Sequence, residues 1–304
     1  MTQTNTYANA AATARIAPAV REALEALHGR LHRRDLVEPD PLQFLYAYAD
    51  PADREIVATL ASGLAYGRVK MILRNVGTVL DHMKPSPSEF VRKTPDARLR
   101  RVFANFRHRF TGGEEIASLL GAIRRIVARH GSLRELFLAS AQPEDETVLP
   151  ALAKFVAELR ANGGDGCPSL LSSPADGSAC KRMNLMLRWL VRHDNVDPGG
   201  WEAVGAHRLV MPLDTHIHRI CRELGLTQRR QADLRTALEV TAAFREIAPD
   251  DPTRYDFALS RLGIRKDTEG FGFQVSGTAT GRTPTVPETR NQQGRASAPA
   301  KPSV

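Results

Sequence analysis

Residues 209–226 read LVMPLDTHIHRICRELGL, and three chemistries would place a carboxylate where Asp214 stands. Asp214 with His216 and His218 offers oxygen and nitrogen donors to a metal ion. An aspartate just ahead of a helix also accepts the unpaired N–H groups of the first turn, where the helix dipole favours negative charge. A carboxylate fixed beside a reacting carbon, thirdly, stabilises positive charge as it develops there. Ile217, Ile220, Cys221 and Leu224 recur at helical spacing. On a helix His216 and His218 stand about 200° apart around the axis, so their rings diverge. A shared ion would need an extended segment, in which alternate side chains share a face. The helical reading therefore assigns no metal site, and the capping role is compatible with the catalytic one.

These residues need a scaffold, and the apolar spacing predicts helices throughout. Residues 16–34 place Val20, Leu24, Leu27 and Leu31 on one stripe, and Ile56, Val57, Leu60, Ala61 and Leu64 form another. The turn GLAYGR at residues 63–68 separates that stripe from a third one through Val69, Ile72, Leu73, Val76, Val79 and Leu80, and KPSPSEF then ends the unit. Further helices are predicted over residues 114–130, 147–161, 181–192, 215–224, 232–247 and 253–262, the last with Asp251 and Pro252 as N-cap and first-turn residue. No segment alternates as a strand would, so the fold class is all-α, with one Gly, Pro and Ser-rich loop at residues 162–178. Residues 1–15 read as a flexible N-terminus, 16–267 as the helical domain, and 268–304 as a disordered tail rich in Gly, Thr, Pro, Ser, Gln and Ala.

At 304 residues and 42% hydrophobic, the chain can bury one substantial core or two modest ones. A net charge of +8 favours an anionic partner such as nucleic acid. Three irregularly spaced cysteines suit neither a disulfide framework nor a four-thiolate cluster, and point to a reducing compartment. The N-terminus lacks a secretory pattern, and no stretch approaches the roughly 18 apolar residues of a membrane span. The cytoplasm is the expected location.

The phrase PLDTHIHRICRELGL resembles the segment that carries the catalytic aspartate in helix-hairpin-helix DNA glycosylases, the superfamily of endonuclease III and the 8-oxoguanine glycosylases. LASGLAYGRVKMI, SACKRMNLMLRWLVR and DDPTRYDFALSRLGI also resemble a bacterial family of unassigned activity regarded as glycosylase-like, so the similarity spans about residues 20–266. The resemblance implies two packed helical subdomains with a cleft between them. It makes Lys181 the nucleophile and Asp214 its carboxylate partner. Lys181 lies 33 residues before Asp214, a spacing closer to the archaeal 8-oxoguanine branch than to the endonuclease III branch. The hairpin phrase Leu-Pro-Gly-x-Gly is replaced here by LSSPADGSACK, and the four-cysteine iron-sulfur loop of some members is missing.

Breaking an N-glycosidic bond builds positive charge on the sugar, which Asp214 would stabilise. An amine attacks only in its neutral form, which apolar neighbours such as Leu185 and Trp189 favour. Attack at C1′ would displace the base, and elimination from the Schiff base would nick the strand. The target nucleotide must leave the stack, so the protein has to hold the backbone on both sides of it. Backbone N–H groups near Gly177 and Ser178, together with Arg182, are candidate phosphate contacts. Arg68 and Lys70 are candidates for a second contact or a wedge. Trp189, Trp201 and Phe257 are aromatics that either stack on a base or fill the core. The expected partner is double-stranded DNA with a damaged base, bound by a monomer without a cofactor. The alternatives are a non-catalytic nucleic-acid-binding protein in which Asp214 only caps its helix, and a hydrolase that uses Asp214 and the histidines on a metal.

Overall fold

Asp50, Ser86, Ser132, Asp214 and Asp233 each accept a backbone N–H two or three residues on, and each marks the start of a helix. Pro51 and Pro87 follow two of these caps, at the position where a missing N–H is harmless. The computed structural model describes residues 16–262. In chain order the helices are α1 (Pro18–Leu31), α2 (Pro51–Gly63), α3 (Val69–Asp81), α4 (Pro87–Lys93), α5 (Asp96–Phe103) and α6 (Gly113–His130). There follow α7 (Leu133–Ser140), α8 (Leu149–Ala161), α9 (Lys181–Val191), α10 (Thr215–Glu223), α11 (Leu234–Ile247) and α12 (Asp256–Leu262). The all-α class holds, and no helix among the described residues is long and apolar enough to cross a membrane.

Helices α2 and α9 pack against each other at the centre, and both are buried over most of their length, with charged members such as Glu55 and Arg188 bonded to partners inside. Helix α6 touches α4, α5, α7 and α8 on one side, while α12 joins α1 and α10 on the other. One continuous apolar core runs from Leu24 to Leu259. Glu55 on the buried α2 accepts the N–H groups of Leu133 and Arg134 at 2.9 and 3.1 Å, which satisfies the open end of α7 from the interior.

Several sequence expectations are corrected. KPSPSEF starts a helix, because Ser86 accepts the Glu89 N–H and Pro87 opens α4. The short helices α5 and α7 were not anticipated. The strand-free reading misses one small antiparallel hairpin, β1 (Arg107–His108) with β2 (Thr111–Gly112), in which His108 faces Thr111. Asp251 caps a turn rather than a helix: it accepts the Thr253 N–H at 3.0 Å and the Thr253 hydroxyl at 2.8 Å, and α12 begins only at Asp256. The loop at 162–178 is present, broken by single 3-10 turns at Gly164–Gly166 and Pro174–Asp176. The expected flexible N-terminus 1–15 and disordered tail 268–304 lie outside the described residues.

Candidate active site

Lys181 is the first residue of α9 and Asp214 the last before α10, so two helix N-termini meet where these side chains meet. The Lys181 Nζ stands 3.5 Å from Asp214 Oδ2, and each side chain is about one third exposed. The other carboxylate oxygen, Oδ1, accepts the Ile217 N–H at 2.8 Å. One residue therefore caps its helix and holds a charge against the lysine. Both line an open cleft of about 910 Å³, within the roughly 300–1,000 Å³ range of ligand sites.

The backbone around Lys181 is unusual. Gly177 has φ 72° and Cys180 φ 48°, so the chain turns left-handed twice before α9 begins. Glycine tolerates this conformation, whereas at Cys180 it carries strain of order 1 kcal/mol or more. No α-helix precedes this turn between Ala161 and Lys181, only the two 3-10 turns. The segment before α9 is thus a loop.

Most of the predicted site residues converge on the cleft: Gly177, Ser178, Lys181, Arg182 and Asp214 all line it. The Gly177 N–H bonds to Pro174 O at 3.0 Å, and the Ser178 hydroxyl accepts the Cys180 N–H at 3.1 Å, so both are engaged in closing the turn. The Arg182 guanidinium donates to the carbonyls of Gly63 and Ser169, bracing α2 and the 162–178 loop against α9. Arg68 and Lys70 are exposed and lie beside the cleft rather than in it, which their neighbours Gly67 and Val69 line. Leu185 is an apolar cleft neighbour of Lys181, but Trp189 and Trp201 are core residues. Phe257 reaches the cleft yet is buried between Arg261 and Arg188.

The histidines diverge as helical spacing requires. His216 lies in the cleft wall with Nε2 3.3 Å from Leu259 O, while His218 is buried with Nε2 3.0 Å from Arg229 O. Among the described residues no group of three His, Cys, Asp or Glu side chains is arranged to hold a metal ion.

Sequence reading missed the floor and one wall. Arg188 is buried beneath the cleft, bonded to Asp256 and, at 3.1 Å, to Asp197, and Arg261 is bonded to Asp40. Burial pushes the Asp256 carboxyl up, opposed by the Arg188 guanidinium. A single cation inside the run NLMLRWLV was the available signal, because a charge on an apolar helix needs a buried counter-charge. Tyr66, from GLAYGR, forms part of the wall, with the Arg182 guanidinium 5.1 Å from its ring centre.

A family model described as a protein of unknown function, DUF2400, matches residues 40–265. No curated protein and no solved structure matches the chain.

Proposed function

We propose that this chain, which belongs to the DUF2400 family, is a DNA N-glycosylase with an associated strand-nicking lyase activity. The observation that carries the reading is the Lys181 amine 3.5 Å from the Asp214 carboxylate in an open cleft. The N-termini of α9 and α10 add their positive dipole ends at the same place, which suits the phosphates flanking an everted nucleotide. The two sets of helices that flank α2 and α9 would then be the glycosylase-like subdomains. The substrate is double-stranded DNA with a damaged base, held by a monomer in the reducing cytoplasm, where three buried free cysteines persist unoxidised.

In this reaction Lys181 gives up a proton to solvent and its amine attacks C1′ of the everted nucleotide. The base departs with the electrons of the N-glycosidic bond and takes up a proton from water. Asp214 offsets the positive charge on the sugar ring. Ring opening gives a Schiff base between Nζ and C1′, and loss of a proton from C2′ expels the 3′ phosphate. The test is incubation with duplexes carrying abasic, 8-oxoguanine, uracil or thymine-glycol sites, followed by borohydride. A covalent adduct in the wild type that disappears in Lys181→Ala supports the reading. An adduct that persists moves the nucleophile elsewhere, and no adduct on any substrate leaves a binding protein.

A further inference from the structure

Phe110 is 77% exposed, the most exposed large apolar side chain among the described residues. It shares the two-residue turn between β1 and β2 with Arg109, whose φ is 53°. Hairpin turns of this length favour Gly, Asn or Asp where φ is positive, and the exposed Phe110 ring carries the Arg109 guanidinium 5.3 Å from its centre. An aromatic this exposed contributes little to the core and is open to a partner.

The tip is held rigidly. The Tyr66 hydroxyl donates to His108 O at 2.8 Å and meets the Thr111 hydroxyl at 2.7 Å. Thr111 is linked in turn to Ser169 at 3.0 Å, and Ser169 donates to Glu115 at 2.6 Å. The Asn75 amide donates to His108 Nδ1 at 2.8 Å, which puts the ring proton on Nε2, facing Tyr66 O at 3.0 Å. The hairpin is thereby tied to the cleft wall, since Tyr66 and Gly67 line the cleft. Arg109 lies so close over Gly67 that a Cβ there would meet its Cδ at 2.9 Å. Arg107 and Arg109 on the hairpin, Arg68 beside Gly67, and Lys70 and Arg74 on α3, which packs on β1, are all exposed, and none is ion-paired with a carboxylate among the described residues.

A rigid aromatic tip among unpaired cations, beside a cleft that can take a nucleotide, fits a duplex whose base stack is opened at one step. We propose that Phe110 enters the base stack of double-stranded DNA beside the cleft, while the surrounding cations hold the flanking phosphates. The inference rests on the glycosylase reading for its substrate and adds the element that opens it.

The test uses the full chain and a duplex with a central abasic site and 2-aminopurine in the adjacent position. Wild-type protein is expected to raise the 2-aminopurine fluorescence as stacking is lost. Phe110→Ala should abolish that rise and weaken duplex binding by about tenfold or more, the size of one lost base–aromatic stack. The ratio of borohydride adduct on duplex to adduct on the same abasic strand alone should fall similarly, with thermal unfolding confirming the fold. Phe110→Trp should restore all three readouts. Duplex affinity within twofold of wild type and an unchanged fluorescence rise in Phe110→Ala would overturn the assignment while leaving the glycosylase reading standing. Equal loss of adduct on duplex and single strand would also overturn it. Wild-type protein that neither binds duplex nor forms an adduct would sink both.

Discussion

The Lys181 amine and the Asp214 carboxylate face each other at 3.5 Å although the chain between them leaves the cleft and returns. Because Asp214 Oδ1 also accepts the Ile217 N–H, capping and chemistry can be separated by substitution. Asparagine caps about as well as aspartate, so Asp214→Asn is expected to keep stability within about 0.5 kcal/mol, and Asp214→Ala to lose about 1 kcal/mol. Both variants remove the charge that stabilises an oxocarbenium-like sugar, and the rate of adduct formation should fall about 100-fold or more in each. Urea unfolding and single-turnover trapping measure the two effects. Full trapping by the stable Asn variant would reduce Asp214 to a cap.

The floor of the cleft makes a separate prediction about stability. Arg188 is shared by Asp256 and Asp197, and all three side chains are almost fully buried. Arg188→Met leaves two carboxylates without their main partner and should cost about 3–5 kcal/mol. Pairing Arg188→Met with Asp256→Leu should recover part of that loss, because replacing both members of a buried pair with apolar groups is far milder than breaking it. Urea midpoints of the single and double variants decide this, and a double variant less stable than Arg188→Met would show that Asp256 has a second stabilising role.

Most of the helices were legible beforehand: α1, α2, α3, α6, α8, α9 and α11 because their apolar spacing repeats over several turns, and the shorter α10 and α12 because a capping aspartate or a turn signal stands ahead of their apolar residues. Helices α4 and α7 are seven and eight residues long and owe their existence to the caps Ser86 and Ser132, single residues that look like turn formers out of context. The hairpin has two residues per strand, too few for alternation to appear. At the site, Asp214 was readable from its own neighbourhood as a cap, but its meeting with Lys181 followed only from resemblance. Asp40, Arg188, Asp256 and Arg261 come together from three parts of the chain, and no local pattern reports such a meeting.

Acid sensitivity should come in two windows. The half-buried His28 ring stacks on His32 at 4.4 Å, and burial, together with His32, Arg254 and Arg192 nearby, brings its pKa down to about 4. The native state thus stays unprotonated there while the unfolded chain takes up a proton below about pH 6.5. That contribution is complete above pH 6.5 and is lost as the pH falls toward 4. For Asp194, burial raises the carboxyl, but the His32 hydrogen bond and Arg192 outweigh it and hold the group well below the ordinary range. Its contribution is present above about pH 4 and fades below that. Melting temperatures from pH 7.5 to 3 are expected to fall in both windows. His28→Gln should flatten the upper one alone, and a slope unchanged in that variant would assign the upper window to another group.

Tyr66 joins the cleft wall to the hairpin, so its hydroxyl can be removed to ask whether that link matters. In Tyr66→Phe the carbonyl of His108 and the Thr111 hydroxyl each lose a partner in a part-buried setting, while the ring and its edge contact with His108 at 4.6 Å remain. The cost should be about 1–3 kcal/mol, the usual penalty for stranding a buried polar group. If the hydroxyl only supports the core, the variant will melt earlier yet bind and trap a duplex as wild type does at a temperature where both are folded. If it aims the hairpin at the cleft, duplex affinity and the 2-aminopurine rise should fall with it, while trapping on a single abasic strand falls much less, because that substrate has no stack to open. Hydrogen exchange at His108 and Thr111, the pair that closes the hairpin, provides the physical check: faster exchange confined to these residues would show that the hairpin has come loose, and protection equal to wild type would rule out a loosened hairpin as the cause of any change in binding.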